Sequence, residues 1–511
     1  MRFFIHDYET FGLSPNDKVS QFAGIYVDEN FEIVGEPEMF YCQVPEDCVP
    51  SPAACAITNI SPYDTKDGLK ENAFAQKIYD LMTKESNLVV SGYNNASFDD
   101  EVTRNLFYRN IIPIYDREWA NGNSRFDFYQ LVKAIFAFKK DSIVFPKDEN
   151  GIYSLKLENL TKANGLAHES AHDALSDVYA TISIGKLIKQ KEPKLFDWVF
   201  ENRIKANMID TILKNKDKPV WYVDNFEKAD NDFLTPMKLF TMPEIKTNSF
   251  NGRKIYPTEY YYIDLSASKE SINKLSSYSE EELREWWQMP FQEREEKGIE
   301  KCPLVKLKAN KMKVIAPFNV LSEKEMENKN LNIQQIKENL SLFEHYFQDE
   351  NLKKKVLKSS NFIYPEKSDP DQTIYNGFFN EDNGTIKQMF QKIKSVGFKE
   401  YAYNFSNNFN FKVEKLNELK FRMIARNEVS ALSEEDRKKW EDHIVYWLTN
   451  EDSPSSMNIS NFNKELEEAK NNFPEKIKVL NELEEFFVEK CKKYGVQPQN
   501  NKEKKRKLKN N

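Results

Sequence analysis

Glycine is scarce in this chain, 15 residues in 511, so long flexible linkers are excluded and connections should be few and short. Cysteine is scarcer still: Cys42, Cys48, Cys55, Cys302 and Cys491 are odd in number and form no C-x-x-C pair. That pattern excludes a disulfide framework and a cysteine zinc site, and leaves reduced structural thiols. No apolar run reaches the ~18 residues of a membrane helix. The opening Met1-Arg2-Phe3-Phe4-Ile5-His6-Asp7 turns polar too early for a signal peptide. The expectation is a soluble cytoplasmic protein with no membrane partner. Positive charge is not in excess either: 73 Lys and Arg stand against 81 Asp and Glu, a net −8. An acidic total can still hide a basic groove, and a metal-binding carboxylate cluster would itself add negative charge.

What is abundant is core-forming material. Hydrophobic residues make up 40% and aromatics 13%, with 37 Phe and 24 Tyr, which excludes wholesale disorder. The length suits about three domains. Up to about residue 195 strands alternate with helices. Arg2–Tyr8 and Val19–Val27 read as strands, Phe31–Val44 as the second arm of a hairpin, and Leu88–Tyr93 as a buried strand. Asn72–Thr83, Asp99–Arg109, Phe128–Phe138 and His172–Lys189 have helical spacing. This is an α/β pattern with a mixed sheet. Residues 200–350 change character: Val220–Val223, Glu259–Leu265, Leu304–Leu307 and Val314–Ala316 are short strands of a small β-rich unit. A helix at Glu280–Gln288 is stopped by Pro290. From about 330 the chain reads helical, over Ile333–Lys355, Thr385–Ser395, Leu416–Arg426, Glu434–Leu448 and Glu475–Lys492. Ser433 suits an N-cap, and Pro474 suits a first turn. The Lys-rich stretch 502–509 reads as a solvated, disordered tail.

Three short patterns carry chemistry. Asp7 and Glu9 close the first strand, and side-chain alternation puts both carboxylates on one face while Tyr8 turns away. Two carboxylates ending an apolar strand are costly unless paired or metal-bound. Asp99 opens a helix after the polar turn Gly92-Tyr93-Asn94-Asn95. By itself it reads as a cap. His172 stands at the entrance of the next helix, with Asp177 a turn and a half further in, and a histidine there can accept a proton near neutrality.

Taken in order, D-x-E on a strand, N-x-x-x-F-D, then H-x-x-x-x-D form the signature of the DEDD exonucleases of the histidine subclass. The chain goes further and resembles the bacterial exodeoxyribonuclease I family. The resemblance runs through Phe98-Asp99-Asp100-Glu101-Val102-Thr103-Arg104-Asn105, Phe107-Tyr108-Arg109-Asn110, Asn123-Ser124-Arg125, Leu160-Thr161-Lys162-Ala163-Asn164-Gly165 and Asp177-Val178-Tyr179-Ala180-Thr181. It continues through Tyr375-Asn376-Gly377-Phe378-Phe379 and Ala425-Arg426-Asn427.

The resemblance implies an RNase-H-like exonuclease domain over 1–198, an SH3-like β domain over 199–350, a helical domain over 351–495 and a basic disordered tail over 496–511. It implies 3′→5′ degradation of single-stranded DNA to nucleoside 5′-monophosphates, in DNA repair and recombination. Asp7, Glu9, Asp99 and Asp177 would hold two Mg²⁺ ions, with Mn²⁺ able to substitute, and His172 would be the general base. Thr10, Phe11, Thr58 and Ile60 would contact the terminal nucleotide, and Arg125 and Lys162 would meet phosphates. The implied partner is the acidic C-terminal tail of single-stranded-DNA-binding protein, and the implied state is a monomer.

Three rival readings exist. His168-Glu169-Ser170-Ala171-His172 matches the zinc-protease pattern H-E-x-x-H, with Glu192 as a conceivable third ligand. It needs one continuous helix, which Gly165 and Ser170 disfavour, and it leaves four acids unexplained. A catalytically dead DNA-binding adaptor would have shed some of the five residues, and none is missing. An RNA exonuclease would share the same nuclease motifs.

Overall fold

The computed structural model describes residues 1–166, 173–223, 232–249, 251–346, 348–362, 364, 366–377, 379–453 and 457–498. The chain forms two compact units, each assembled from separate stretches: Met1–Arg125, Gly165–Ile184 and Glu366–Asn511 make the first, Phe126–Asn164 and Gly185–Pro365 the second.

The first unit is built on a five-stranded sheet. Its strands are β1 (Arg2–Thr10), β2 (Val19–Asp28), β3 (Glu38–Tyr41), β4 (Leu88–Gly92) and β5 (Ser124–Asp127), in the order β3-β2-β1-β4-β5. β1 runs antiparallel to β2 and parallel to β4, so the sheet is mixed, as expected. The central position of β1 follows from its sequence: Phe3, Phe4 and Ile5 are fully buried. The run can be apolar on both faces because helices or loops cover both. The expected second arm of the hairpin is much shorter than Phe31–Val44. Only Glu38–Tyr41 pairs with β2, beyond an isolated bridge from Val27 to Ile33, and Gly35 takes a positive φ between them.

One core of this unit lies where Phe4, Phe22 and Val90 meet Phe74, Ile78 and Met82 of the helix Glu71–Thr83 and Val102 and Leu106 of the helix Asp99–Arg109. A second joins Phe11, Cys55 and Ala56 to C-terminal residues including Trp440, Phe462, Leu480 and Phe487. Buried ion pairs tie the same stretches together. Arg426, wholly buried, donates to Asp47 (2.6–2.8 Å) and to Asp371, and Arg422 reaches Asp369 and Asp371. The C-terminal helices therefore share a hydrophobic core and a charge network with the N-terminal segment, which explains why they compact as one unit. All five cysteines are buried and free, as expected for structural thiols.

The second unit contains a fully antiparallel sheet. β6 (Pro219–Val223), β7 (Leu234–Thr241), β10 (Glu259–Asp264), β11 (Leu304–Lys308) and β12 (Val314–Pro317) follow the order β11-β10-β7-β6-β12, and β8 (Lys246–Thr247) and β9 (Lys254–Ile255) form a separate two-stranded ribbon. The four strands expected here are present. β7, which the sequence reading missed, is the middle strand. Its Pro236 and polar Thr235 and Lys238 obscure the alternation, yet the sheet buries Thr235 and Met237. The sheet's core gathers Val220, Met237, Tyr260, Tyr262 and Ile315 with Met208 and Ile212 of the helix Lys205–Lys214. The expected single helix Ile333–Lys355 is two, Ile333–Tyr346 and Glu350–Ser359. Asp349 accepts from the backbone N–H groups of Asn351 and Leu352, so an N-cap restarts the helix. Among the described residues no helix is long and apolar enough to cross a membrane.

Candidate active site

Three elements of the first unit meet at the C-terminal end of β1. Asp7 and Glu9 lie on one face of the strand. Tyr8 faces the other way, with its hydroxyl 2.9 Å from that of Thr103. Thr103 stands one turn after Asp99, and the Tyr8 amide donates to the Asp99 carboxylate at 3.2 Å. Strand and helix are thus bonded on both sides of the site. The approach to Asp99 depends on Gly92: a Cβ there would stand 2.8 Å from the carbonyl oxygen of His6. β4 can therefore run tight against β1 before Asn94, at φ 60°, turns the chain into the helix.

Asp177 arrives on the helix Ala174–Lys191. Asp7, Glu9 and Asp177 each present a carboxylate oxygen within 4.8 Å of the others. The electrostatics follow from this crowding. Burial, then the charges of Asp99, Glu9 and Asp177, push the Asp7 carboxyl well above the usual range. Burial, then Asp177 and Asp99, do the same to Glu9. Acids crowded so that Asp7 and Glu9 resist ionisation are a poor arrangement on their own and a good one for a divalent cation, whose charge reverses the repulsion. An all-oxygen donor set suits a hard ion such as Mg²⁺ or Mn²⁺ rather than a thiolate-seeking one. The residues present fit the metal that the sequence implies.

Behind the site stands a second charge cluster. Asp100 is fully buried and pairs with Arg117 (2.9 Å) and Arg125 (2.6 Å). Burial opposes its ionisation, but Arg125 and Arg117 outweigh it and hold the carboxyl below its ordinary range. The Arg125 guanidinium also meets Glu118 at 3.0 Å. Arg125, expected to meet phosphate, is thus engaged with two carboxylates.

The other expected substrate contacts fall as follows. Thr10 donates its hydroxyl hydrogen to the Gly12 carbonyl at 2.7 Å. Phe11 is 2% exposed and packed in the second core, and Ile60 is 7% exposed. The Thr58 hydroxyl donates to the Ala54 carbonyl at 3.0 Å and accepts from the Ile60 amide at 3.3 Å. Lys162 lies on the short helix Leu157–Ala163 of the second unit. His172 and the H-E-x-x-H stretch lie outside the described residues. Sequence reasoning missed Asp173, whose charge bears on both Asp7 and Glu9, and Gln21, whose side chain reaches it at 3.2 Å. The hairpin register, which sets Gln21 directly opposite Glu9, was the available signal.

Comparison with known proteins agrees with this geometry. The family model described as Exonuclease matches residues 4–184, that of the Exonuclease I SH3-like domain residues 203–359, and that of the Exonuclease I C-terminal domain residues 368–490. An exodeoxyribonuclease I of Haemophilus influenzae is 31% identical over 493 residues, covering 95% of this chain and 98% of the relative. The chain belongs to the exonuclease I family. The exodeoxyribonuclease I of Escherichia coli K12 is 32% identical over 451 residues, covering 86% of this chain and 88% of the relative. Among solved structures, an exonuclease I from Methylocaldum szegediense superposes with a TM-score of 0.84 at 32% identity, covering 96% of this chain and 99% of that one. Escherichia coli exonuclease I in complex with a dA16 oligonucleotide gives 0.82 at 29% identity, with coverages of 96% and 99%. The mixed-sheet unit therefore carries most of the exonuclease match, whose residues 126–164 fall in the second unit, together with the C-terminal match, and the antiparallel sheet lies within the SH3-like match.

Proposed function

We propose that the protein is a metal-dependent 3′→5′ exonuclease that degrades single-stranded DNA to nucleoside 5′-monophosphates. The observation that carries the reading is the meeting of Asp7, Glu9 and Asp177 within 4.8 Å, with Asp99 bonded to the same strand. Family membership along nearly the whole chain, and relatives whose names specify DNA, favour DNA over RNA. Asp7, Glu9, Asp99 and Asp177 would hold two Mg²⁺ ions, and bound there they would stabilise the attacking and leaving oxygens of an in-line displacement. The four carboxylates fix where the scissile phosphate can sit, and the strand–helix bonds around Tyr8 keep them from relaxing apart. His172 takes the proton from the attacking water. That role rests on its place in the motif, five residues before Asp177.

Thr10 and Phe11, which follow Glu9 directly, and Thr58 and Ile60, at the end of the helix Pro52–Thr58, are assigned to the terminal nucleotide. Arg125 and Lys162 are assigned to phosphates, where Arg125 would exchange one of its carboxylate partners for substrate. The work is repair and recombination in the cytoplasm, as a monomer.

For the partner, a cavity of about 1100 Å³ in the second unit supports docking of an acidic, apolar peptide tail such as that of single-stranded-DNA-binding protein. Phe136, Tyr153 and Phe233 line it beside Lys139, Lys140 and Lys329. Lys140 lies 4.1 Å from the ring centroids of both Phe136 and Tyr153, and Lys140 and Lys329 pair with Asp232 of the same cavity at 2.6 and 2.7 Å, a carboxylate that the tail's own would replace.

The reading is tested with a single strand labelled at its 3′-terminal residue. The label should leave first, as a nucleoside 5′-monophosphate. Release of labelled oligonucleotides, or of 3′-monophosphates, would contradict it.

A further inference from the structure

Gln21 stands at the centre of a ladder. It faces Glu9 across the β1–β2 pair and Tyr41 across the β2–β3 pair, so the three side chains share one face of the sheet. It is 1% exposed. Hydrogen bonds hold both ends of its amide, and Nε2 also lies 3.8 Å from Met39 Sδ. Oε1 accepts from the backbone N–H of Ala174 at 3.1 Å, and Nε2 donates to Asp173 Oδ1 at 3.2 Å and to the Tyr41 hydroxyl at 3.1 Å. The orientation is fixed, because a flipped amide would set an NH₂ against the Ala174 N–H and an oxygen against the Asp173 carboxylate.

The two residues it grips open the helix that carries Asp177. The other Asp173 oxygen accepts from the Ser176 amide at 3.4 Å, as an N-cap does. The Asp173 carbonyl accepts the Asp177 amide at 3.1 Å, the first bond of the helix. One side chain on β2 therefore anchors the start of the helix, one turn before a carboxylate that must meet Glu9, its own neighbour on β1.

We propose that Gln21 is a positioning residue of the active site, setting the distance between Asp177 and the Asp7–Glu9 pair by clamping the Asp173–Ala174 cap to the sheet. The inference rests on the carboxylate reading of the site. A carboxylate free to swing on an unclamped helix end holds a divalent ion less tightly, and outer-shell contacts of this kind change metal affinity or activity by about 10–100-fold.

Gln21→Met keeps the length and volume of the side chain and removes the amide. The full-length variant is compared with wild type by Mn²⁺ titration calorimetry, by the kcat and KM of single-strand cleavage, and by melting in chelator. The expected result is Mn²⁺ binding and kcat each lowered by about 10–100-fold, with KM for the oligonucleotide unchanged and folding retained. If Gln21→Met does not fold, Gln21→Glu replaces it. Glutamate keeps the acceptor for Ala174 but loses the donor to Asp173, and the same loss is expected. Wild-type Mn²⁺ affinity and kcat in the folded variant would overturn the proposal. Asp177→Asn, assayed in parallel, separates this failure from the deeper one. Retained metal-dependent cleavage in Asp177→Asn sinks the carboxylate reading itself, whereas an inactive Asp177→Asn beside a fully active Gln21→Met sinks only the clamp.

Discussion

Asp7→Asn should make the metal-free protein more stable while abolishing its activity. Asparagine has the shape of aspartate without the charge. At 4.8 Å, the outer separation of the Asp7, Glu9 and Asp177 oxygens, two full charges repel by about 3.5 kcal/mol at an effective dielectric of about 20. Part of that is already relieved, since burial and the neighbouring carboxylates raise both Asp7 and Glu9 and so make them easier to protonate. The net gain expected is roughly 1–2 kcal/mol in chelator near pH 8. The pH dependence has a definite sign. Carboxyls whose folded values are raised bind protons better in the native state. Their contribution is harmless below the ordinary carboxylate range and destabilising as pH climbs through the raised values. Wild type should thus lose stability with rising pH in chelator and regain it on adding Mg²⁺, and Asp7→Asn should show both effects weakly. Urea melts of the two proteins at pH 5 and pH 8, with and without Mg²⁺, read this directly. Equal stabilities in chelator at pH 8, or cleavage by Asp7→Asn, would refute the reasoning.

Three further outcomes are expected. Arg426→Met strands the buried Asp47 and Asp371 carboxylates and should cost about 3–5 kcal/mol in urea unfolding of the first unit; a loss under 1 kcal/mol would mean the network is solvent-relaxed. His443, stacked on Trp440 and tilted against Trp447, is lowered to about 4 chiefly by burial, with Arg422 adding to it. It therefore contributes stability that is lost as pH falls from about 6.5 to about 4, at most about 3 kcal/mol, and His443→Phe should flatten that limb of the stability curve. Gly92→Ala drives a methyl carbon toward the His6 carbonyl and should lower kcat by displacing β4, and with it Asp99; an unaltered kcat would show that β4 can shift without moving Asp99.

The parts of this molecule written in local pattern were legible before the structure. Phe3-Phe4-Ile5 announces a central strand, and the helices Asp99–Arg109, Phe128–Phe138 and Glu280–Gln288 begin and end where their periodicity does. The D-x-E pair was legible because strand alternation is geometry rather than context. What could not be read depends on distant residues. Lys238 and Pro236 hide a central strand that only its two neighbours make necessary. Asp349 breaks a helix whose apolar spacing continues through it. Arg125, which the resemblance assigned to phosphate, is held by Asp100 and Glu118, partners that nothing local announces. Phe11, expected at the terminal nucleotide, packs into a core that residues more than 400 positions away complete. Gln21 needed the hairpin register before it could be seen beside Glu9.

The central claim is tested most directly with a 5′-labelled single-stranded DNA, a matched RNA and a duplex, each incubated with Mg²⁺ and with chelator. The account predicts a ladder that shortens from the 3′ end, for the single-stranded DNA and only with Mg²⁺. Cleavage that survives chelator, preference for the RNA, or no cleavage of any substrate would contradict it.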